Sequence, residues 1–460
     1  MKEQTRKEAQ STEHPFLLSL KQYLDNLQKK INFPEIREAT RGRIFEIIDR
    51  NNLMSGILEG PNFLAILEEE KKLKGNAKVG VILCIDGRLS ILHQFGVAVN
   101  TKEVAGSLIG LSKDKKTITD RRFISILEQN ADEGRELLEI VTAHKSSRHK
   151  NHGCGRISLG ISEGEFIGDA DVVAWTEAEK RVVAIENKYN EILKSKGKAP
   201  QNKVAIAAMV DTDTMGLTLN YNQDNQLNTT DLTLELASDI NQTLGHDFGS
   251  MRESFTNPSS FIEYSKKVLE ITEYLMSAES NRARNYINEN YSDLSDQQNQ
   301  ALLFTVCRTI ANQYVTGLAS EEEFYHPYLE HNERYMVVSP VGKLFGRFDF
   351  EQSFGCVPKD RKEMLEHIKI ELKLLDKNRK EEGETDILFI STPINLIISE
   401  TKGTTITLAE DAARVYFQNL LEDEEIKQRI EKGLLVIVPI LVDENSGKVL
   451  KVRDYSIHLN

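Results

Sequence analysis

Cysteine is scarce, with four residues in a chain of 460, at positions 84, 154, 307 and 356. That density excludes a disulfide-stapled secreted scaffold and makes reduced thiols the default. Positive charge is also in deficit: 58 Lys and Arg stand against 71 Asp and Glu, a formal net charge of -13 at pH 7. The long-range field of such a chain repels phosphates, which argues against nucleic acid and anionic membrane surfaces as partners. Long apolar runs are missing too. The longest, Leu434 to Val442, falls well short of the ~20 residues needed to span a bilayer. Residues Met1 to Glu8 lack the apolar core of a signal peptide, which predicts a cytosolic protein.

What is present suits a multi-domain globular protein. A chain of 460 residues corresponds to about two to four domains with sizeable cores. After about a dozen polar residues that read as disordered, His14-Pro15 opens a helical pattern. Phe16, Leu17, Leu20, Leu24, Leu27 and Ile31 then recur at helical spacing. A second helical segment runs from Ile36 to Leu58, with Ile44, Ile47, Ile48 and Leu53 as its stripe. Residues 1–75 therefore read as a helical domain or arm.

From Ala77 the pattern changes to α/β. Strand-length apolar runs are expected at Val79 to Cys84, Asp171 to Trp175, Val182 to Ile185 and Val204 to Val210, with a helical stretch over Arg121 to Val141. Residues 219–259 read as loop and turn with one short strand or helix at Leu232 to Leu236. Helices follow at Phe261 to Ile287 and Asn299 to Val315, with Cys307 in their core. The last segment, 326–460, shows strands at Met336 to Val338, Ile387 to Ile390 and Leu434 to Val442 and a helix at Leu408 to Leu421; Cys356 reads as structural. Its strands echo the middle ones: 386–392 resembles 81–86, and 435–443 resembles the run ending at Asp211. The chain thus reads as an internal pseudo-dimer with one live site and one dead one.

The chemistry concentrates in two places. Cys84, Asp86 and Arg88 alternate along the end of an apolar strand, and alternate side chains of an extended segment share one side. Farther on, the stretch from His144 to His152 closes in Cys154. Thiolate and imidazole are zinc ligands, and three protein ligands leave the fourth tetrahedral corner free for water. The plainer readings are that a Cys is a small buried hydrophobe and that Asp86 and Arg88 form a structural ion pair. His144, His149 and His152 compete for the metal, and spacing alone does not choose. Asp211 and Asp213, at the end of another strand, fit an acidic turn capping backbone amides somewhat better than they fit catalysis.

Taken together, Cys84-Ile85-Asp86-Gly87-Arg88-Leu89, Ala105-Gly106-Ser107, the loop from His144 to Cys154, Val210-Asp211-Thr212-Asp213-Thr214 and His331-Asn332-Glu333-Arg334-Tyr335 occur in the order seen in the carboxysomal shell carbonic anhydrases, a divergent branch of the β class. The chain resembles that family over nearly its whole length. The resemblance implies a helical N-terminal domain (1–75), a zinc-binding catalytic domain of the β-carbonic-anhydrase type (76–325) and a C-terminal degenerate copy of it (326–460). It implies zinc held by Cys84, His144 and Cys154, with His152 matching the second His of the family's loop. It also implies that zinc-activated hydroxide hydrates carbon dioxide to bicarbonate, with Asp86 orienting the nucleophile and Arg88 holding Asp86 ionised. Ala105-Gly106-Ser107 reads either as backbone brought close to the small substrate or as an ordinary turn.

The resemblance further implies a homodimer or an assembly of dimers. Family members packed in carboxysomes carry a longer disordered N-terminal segment that contacts ribulose bisphosphate carboxylase. Here only about a dozen residues have that character, so a cytosolic protein and one docked on a carboxysome shell or its enzyme both fit. Two other functions share these residues: a zinc-containing scaffold with little or no catalysis, and a zinc hydrolase acting on another small substrate.

Overall fold

The computed structural model describes residues 21–26, 38–82, 121–147, 153–162, 164–251, 258–278, 282–320, 335–338, 352–356, 361–378, 385–394, 404–443 and 447–453. Residues 21–26 are helical. The chain then runs through α1 (Glu38–Leu58), α2 (Pro61–Lys74), β1 (Lys78–Ile82), α3 (Arg121–Glu133), β2 (Leu137–Lys145), α4 (Gly155–Ser162), α5 (Ala170–Ser195) and β3 (Ala205–Asp211). Next come β4 (Gly216–Leu219), β5 (Leu227–Asn228), α6 (Thr229–Leu244), α7 (Phe261–Ser277), α8 (Arg282–Asn290) and α9 (Asp296–Thr316). The remainder holds β6 (Tyr335–Val338), β7 (Gln352–Cys356), α10 (Arg361–Asn378), β8 (Asp386–Ile394), α11 (Thr404–Leu421), α12 (Glu424–Glu431), β9 (Leu435–Asp443) and β10 (Val449–Val452). The fold is mixed α/β, in two compact units: residues 60–331, and residues 1–59 together with 332–460. Helix α1 thus belongs to one unit and α2 to the other.

In the unit 60–331 the sheet order is β1-β2-β3-β4-β5. The first three strands are parallel, and β4 and β5 join antiparallel. A parallel strand covered on both faces is apolar throughout, and in β2 eight of nine residues are buried, Glu139 among them. That glutamate interrupts the apolar run, so the expected helix over Arg121 to Val141 is only half right: α3 stops at Glu133 and Leu137–Lys145 is a strand. The strands expected at Asp171 to Trp175 and Val182 to Ile185 are instead parts of α5. Its buried residues Ala174, Ala178, Val182, Ile185, Tyr189 and Ile192 recur every three or four positions, and Asp169 caps its first turn through Asp171 N–H and Val172 N–H. Residues 219–259 contain α6, whose Leu232 and Ile240 are buried, so they are less loop-like than expected.

Helix α9 is buried at every residue from Ala301 to Thr316. A helix apolar on one face only could not be so placed; this one satisfies its polar groups internally. Arg308 and Glu70 of α2 form an ion pair at 3.0 Å, each side chain 2% exposed. Asn312 accepts from Tyr264 Oη at 2.6 Å. A capping box of Ser295 and Gln298 starts the helix, and Gly317 in the left-handed region (φ 72°) ends it.

The second unit has the order β10-β9-β8-β6-β7, with β10 antiparallel and the rest parallel. Strands β6, β8, β9 and β10 repeat β1, β2, β3 and β4 in order and direction, and the parallel pairs also in register, while β10 shifts register after Val449. Lys145 pairs with Asp211 and Ile394 with Asp443 at the ends of the corresponding strands. Ile82 pairs with Val141 and Val338 with Ile390, each partner four residues before its strand's end. Val210 faces Leu217 as Val442 faces Val449. The echo between 435–443 and the run ending at Asp211 therefore coincides with equivalent strands. The likeness drawn between 386–392 and 81–86 does not: by topology 386–394 is the counterpart of β2, and β6 is that of β1. Shared apolar composition made the two indistinguishable in sequence.

Helix α1 packs in this second unit along the edge strand. The Asn52 side chain accepts from Val449 N–H at 2.7 Å and donates to the Val449 carbonyl at 3.2 Å, while Asn51 donates to the Gly447 carbonyl at 2.9 Å. Leu53, expected on the apolar stripe of this helix, is half exposed, whereas Ile44, Ile47 and Ile48 are buried.

Candidate metal centre

His144 is the penultimate residue of β2, 1% exposed, rather than part of a loop. Parallel strands bring their carboxyl ends to one edge, where ligand crevices form. Thr142 ties the neighbouring strand to the same edge, its hydroxyl donating to the Ile82 carbonyl at 2.9 Å. Strand β1 ends at Ile82, two residues before Cys84. Ser391 stands at the position of Thr142 in the other sheet, another hydroxyl at the same register point.

The chain returns to this edge at Gly153. A β-carbon there would stand 3.9 Å from the His144 carbonyl oxygen, 3.8 Å from Lys145 Cα and 3.2 Å from Asp171 Oδ1. The next residue, Cys154, is buried, and its backbone carbonyl accepts from Ser158 N–H at 2.9 Å as α4 begins. The backbone that leads into Cys154 thus returns beside the end of the strand that carries His144. The expected residues Cys84, Asp86, Arg88, Ala105, Gly106, Ser107, His149 and His152 lie outside the described residues, as do His331 to Arg334. Tyr335 of that last motif is a core residue of β6, edge-on to Phe389 at 5.5 Å. Among the described residues no group of three or more His, Cys, Asp or Glu is placed to hold a metal ion.

The surroundings are carboxylate-rich. Burial pushes the Asp171 carboxyl above the usual range, helped by Asp169 and Asp211 and opposed by Lys145 and His144. Burial raises Asp211 too, against hydrogen bonds from Ser147 and Asp213 N–H. Tyr221 is raised by burial and then by these carboxylates. Its ring lies 5.1 Å from Lys145 Nζ and 5.9 Å from the Trp175 ring. Lys145 is the cation that the Asp171 and Asp211 carboxyls face, and it opposes the rise in both.

The turn from Asp211 to Thr214 caps backbone as the sequence suggested: Asp211 Oδ1 accepts from Ser147 N–H at 3.3 Å and Asp213 N–H at 3.0 Å. Asp213 Oδ2 accepts from Ser146 Oγ at 2.7 Å. The sequence reading passed over Asp171, Lys145 and Tyr221. For Asp171 a signal existed, because Asp169-x-Asp171 ahead of a periodic apolar run is a helix start; for Tyr221 there was none.

Among the described residues no helix is long and apolar enough to cross a membrane. No family model matches the chain, and no curated protein matches it significantly.

Proposed function

We propose that the protein is a zinc-dependent carbonic anhydrase that interconverts carbon dioxide and bicarbonate. The observation that supports this most is that His144 lies buried at the carboxyl end of β2 and the chain returns beside it at Gly153, one residue before Cys154, while Cys84 follows the end of β1 by two residues in sequence. One nitrogen and two sulfur donors, with the described pair both buried, form a donor set that suits zinc. Cys84, His144 and Cys154 would hold the zinc, which when bound would supply a Lewis acid that makes water more acidic. Asp86, kept ionised by Arg88, accepts a hydrogen bond from the attacking water and leaves a lone pair for carbon dioxide, the role that the family resemblance assigns it.

The second sheet supports one live site in a duplicated fold. Pro393 holds the register position of His144. Counting the same distance past the strand ends sets Pro340 against Cys84, Gly342 against Asp86 and Leu344 against Arg88. None of these replacements can ligate zinc or carry charge. On this reading residues 76–325 hold the catalytic domain and 326–460 its degenerate copy, in a cytosolic homodimer or assembly of dimers that docks on a carboxysome shell or on its carboxylase.

The test is metal analysis of the purified chain together with stopped-flow hydration of carbon dioxide. One zinc per chain with rapid hydration is expected. Absence of zinc sinks the reading, and zinc without hydration leaves a structural site.

A further inference from the structure

Gln313 stands on α9 fully buried, far in sequence from the ligands. Its amide makes four hydrogen bonds. Nε2 donates to the Thr214 carbonyl at 3.0 Å and to Thr230 Oγ1 at 2.8 Å, and Oε1 accepts from Thr229 Oγ1 at 2.8 Å and Thr233 Oγ1 at 3.3 Å. Thr229 Oγ1 in turn accepts from Leu217 N–H at 2.8 Å, at the start of β4. These bonds grip the turn between β3 and β4. Within it Met215 is buried and left-handed (φ 56°), a conformation that a non-glycine residue keeps only when its surroundings impose it. At Gly216 a β-carbon would collide with Thr230 Oγ1.

The same turn grips the chain that follows His144. Asp213 holds Ser146, Asp211 holds Ser147 N–H, and Thr212 donates to the Lys145 carbonyl through its N–H at 2.9 Å and its hydroxyl at 3.1 Å. Hydrogen bonds from α9 to Thr214 and from residues 211–213 to residues 145–147 thus meet on one short turn, linked through its backbone.

We propose that Gln313 is a positioning residue for the metal centre: its buried amide fixes the turn 211–216, and that turn fixes His144. Supporting groups that orient a metal ligand tune affinity without touching the ion. The assignment rests on the proposed function for its metal and activity readouts and is independent of it for the backbone readout.

The experiment compares Gln313→Met, which keeps the volume and removes the amide, and the milder Thr230→Val with Val268→Ala, a cavity variant in α7. At a temperature where circular dichroism shows each variant folded, Gln313→Met should release zinc to a chelator at least tenfold more readily. It should also shift the visible spectrum of the cobalt-substituted protein, lower kcat with KM little changed, and speed amide exchange at residues 144–147. Thr230→Val should do the same more weakly and decides the matter if Gln313→Met does not fold. Val268→Ala should lose thermal stability alone. A Gln313 variant that melts earlier yet keeps wild-type affinity, spectrum and exchange overturns the assignment. If the wild-type chain binds no zinc, the proposed function fails and exchange alone decides: unchanged protection at 144–147 overturns the positioning role.

Discussion

His144 and Pro393 occupy the same register position in two sheets of one chain, His144 beside Val210 and Pro393 beside Val442. One offers an imidazole; the other offers no donor. Replacing His144 by Ala should remove zinc and lower carbon dioxide hydration by about a hundredfold or more, whereas Pro393→Ala should leave one zinc per chain and full turnover. Elemental analysis and hydration rates of the two variants check this, and zinc retained in His144→Ala would assign the ligand elsewhere.

Arg88 is not expected to touch the metal, so its loss should separate binding from turnover. Arg88→Ala should keep zinc while hydration falls severely, because Asp86 is freed to approach the metal in place of water. Near-normal turnover in that variant would remove Arg88 from the mechanism.

The Glu70–Arg308 pair is a stability element without a donor role. Breaking a buried pair from one side leaves an uncompensated charge, so Arg308→Met alone should destabilise the protein by about 3–5 kcal/mol. The double change Glu70→Leu with Arg308→Met should recover much of that loss. Urea denaturation of the single and double variants is the measurement, and additive losses would show that the charges do not act as a pair.

Burial raises the Asp211 carboxyl above its ordinary value. The folded state therefore binds the proton more tightly than the unfolded chain, and this group's stabilising contribution is complete below the unfolded carboxylate range, near about pH 3.9. It is lost as pH rises through the folded value. Asp211→Asn, which stays neutral and keeps one acceptor for an amide, should accordingly compare better with wild type near neutral pH than in acid. Melting temperatures of both proteins across the acidic range test the sign; a difference independent of pH would contradict it.

The parts of the fold legible in sequence are those where local pattern and tertiary role agree. The runs at 336–338, 387–390 and 434–442 fall in β6, β8 and β9, and the helices α9 and α11 lie where their stripes put them, whereas the single helix expected over Phe261 to Ile287 is two, α7 ending at Ser277 and α8 starting at Arg282. Cys307 is core, as its apolar helical setting indicated. The misreadings have a common cause: in a parallel sheet and its covering helices both element types are apolar, so short windows of α5 imitate strands and Glu139 disguises β2. For the site, the structure returns the chain to the end of β2 one residue before Cys154, which the sequence signalled only by placing His144 and Cys154 in one stretch. The carrier of His144 was misjudged as a loop, and Gln313 was invisible, since a glutamine gripping threonines across the fold leaves no local pattern.

Asn52 answers both backbone groups of Val449, much as a neighbouring strand would. A truncation beginning at Gly60 spares the sheet that carries His144 but strips this guard from β10. The bared margin then templates strand addition between molecules. Such a shortened protein should form aggregates by sheet extension while the unit that carries His144 remains intact.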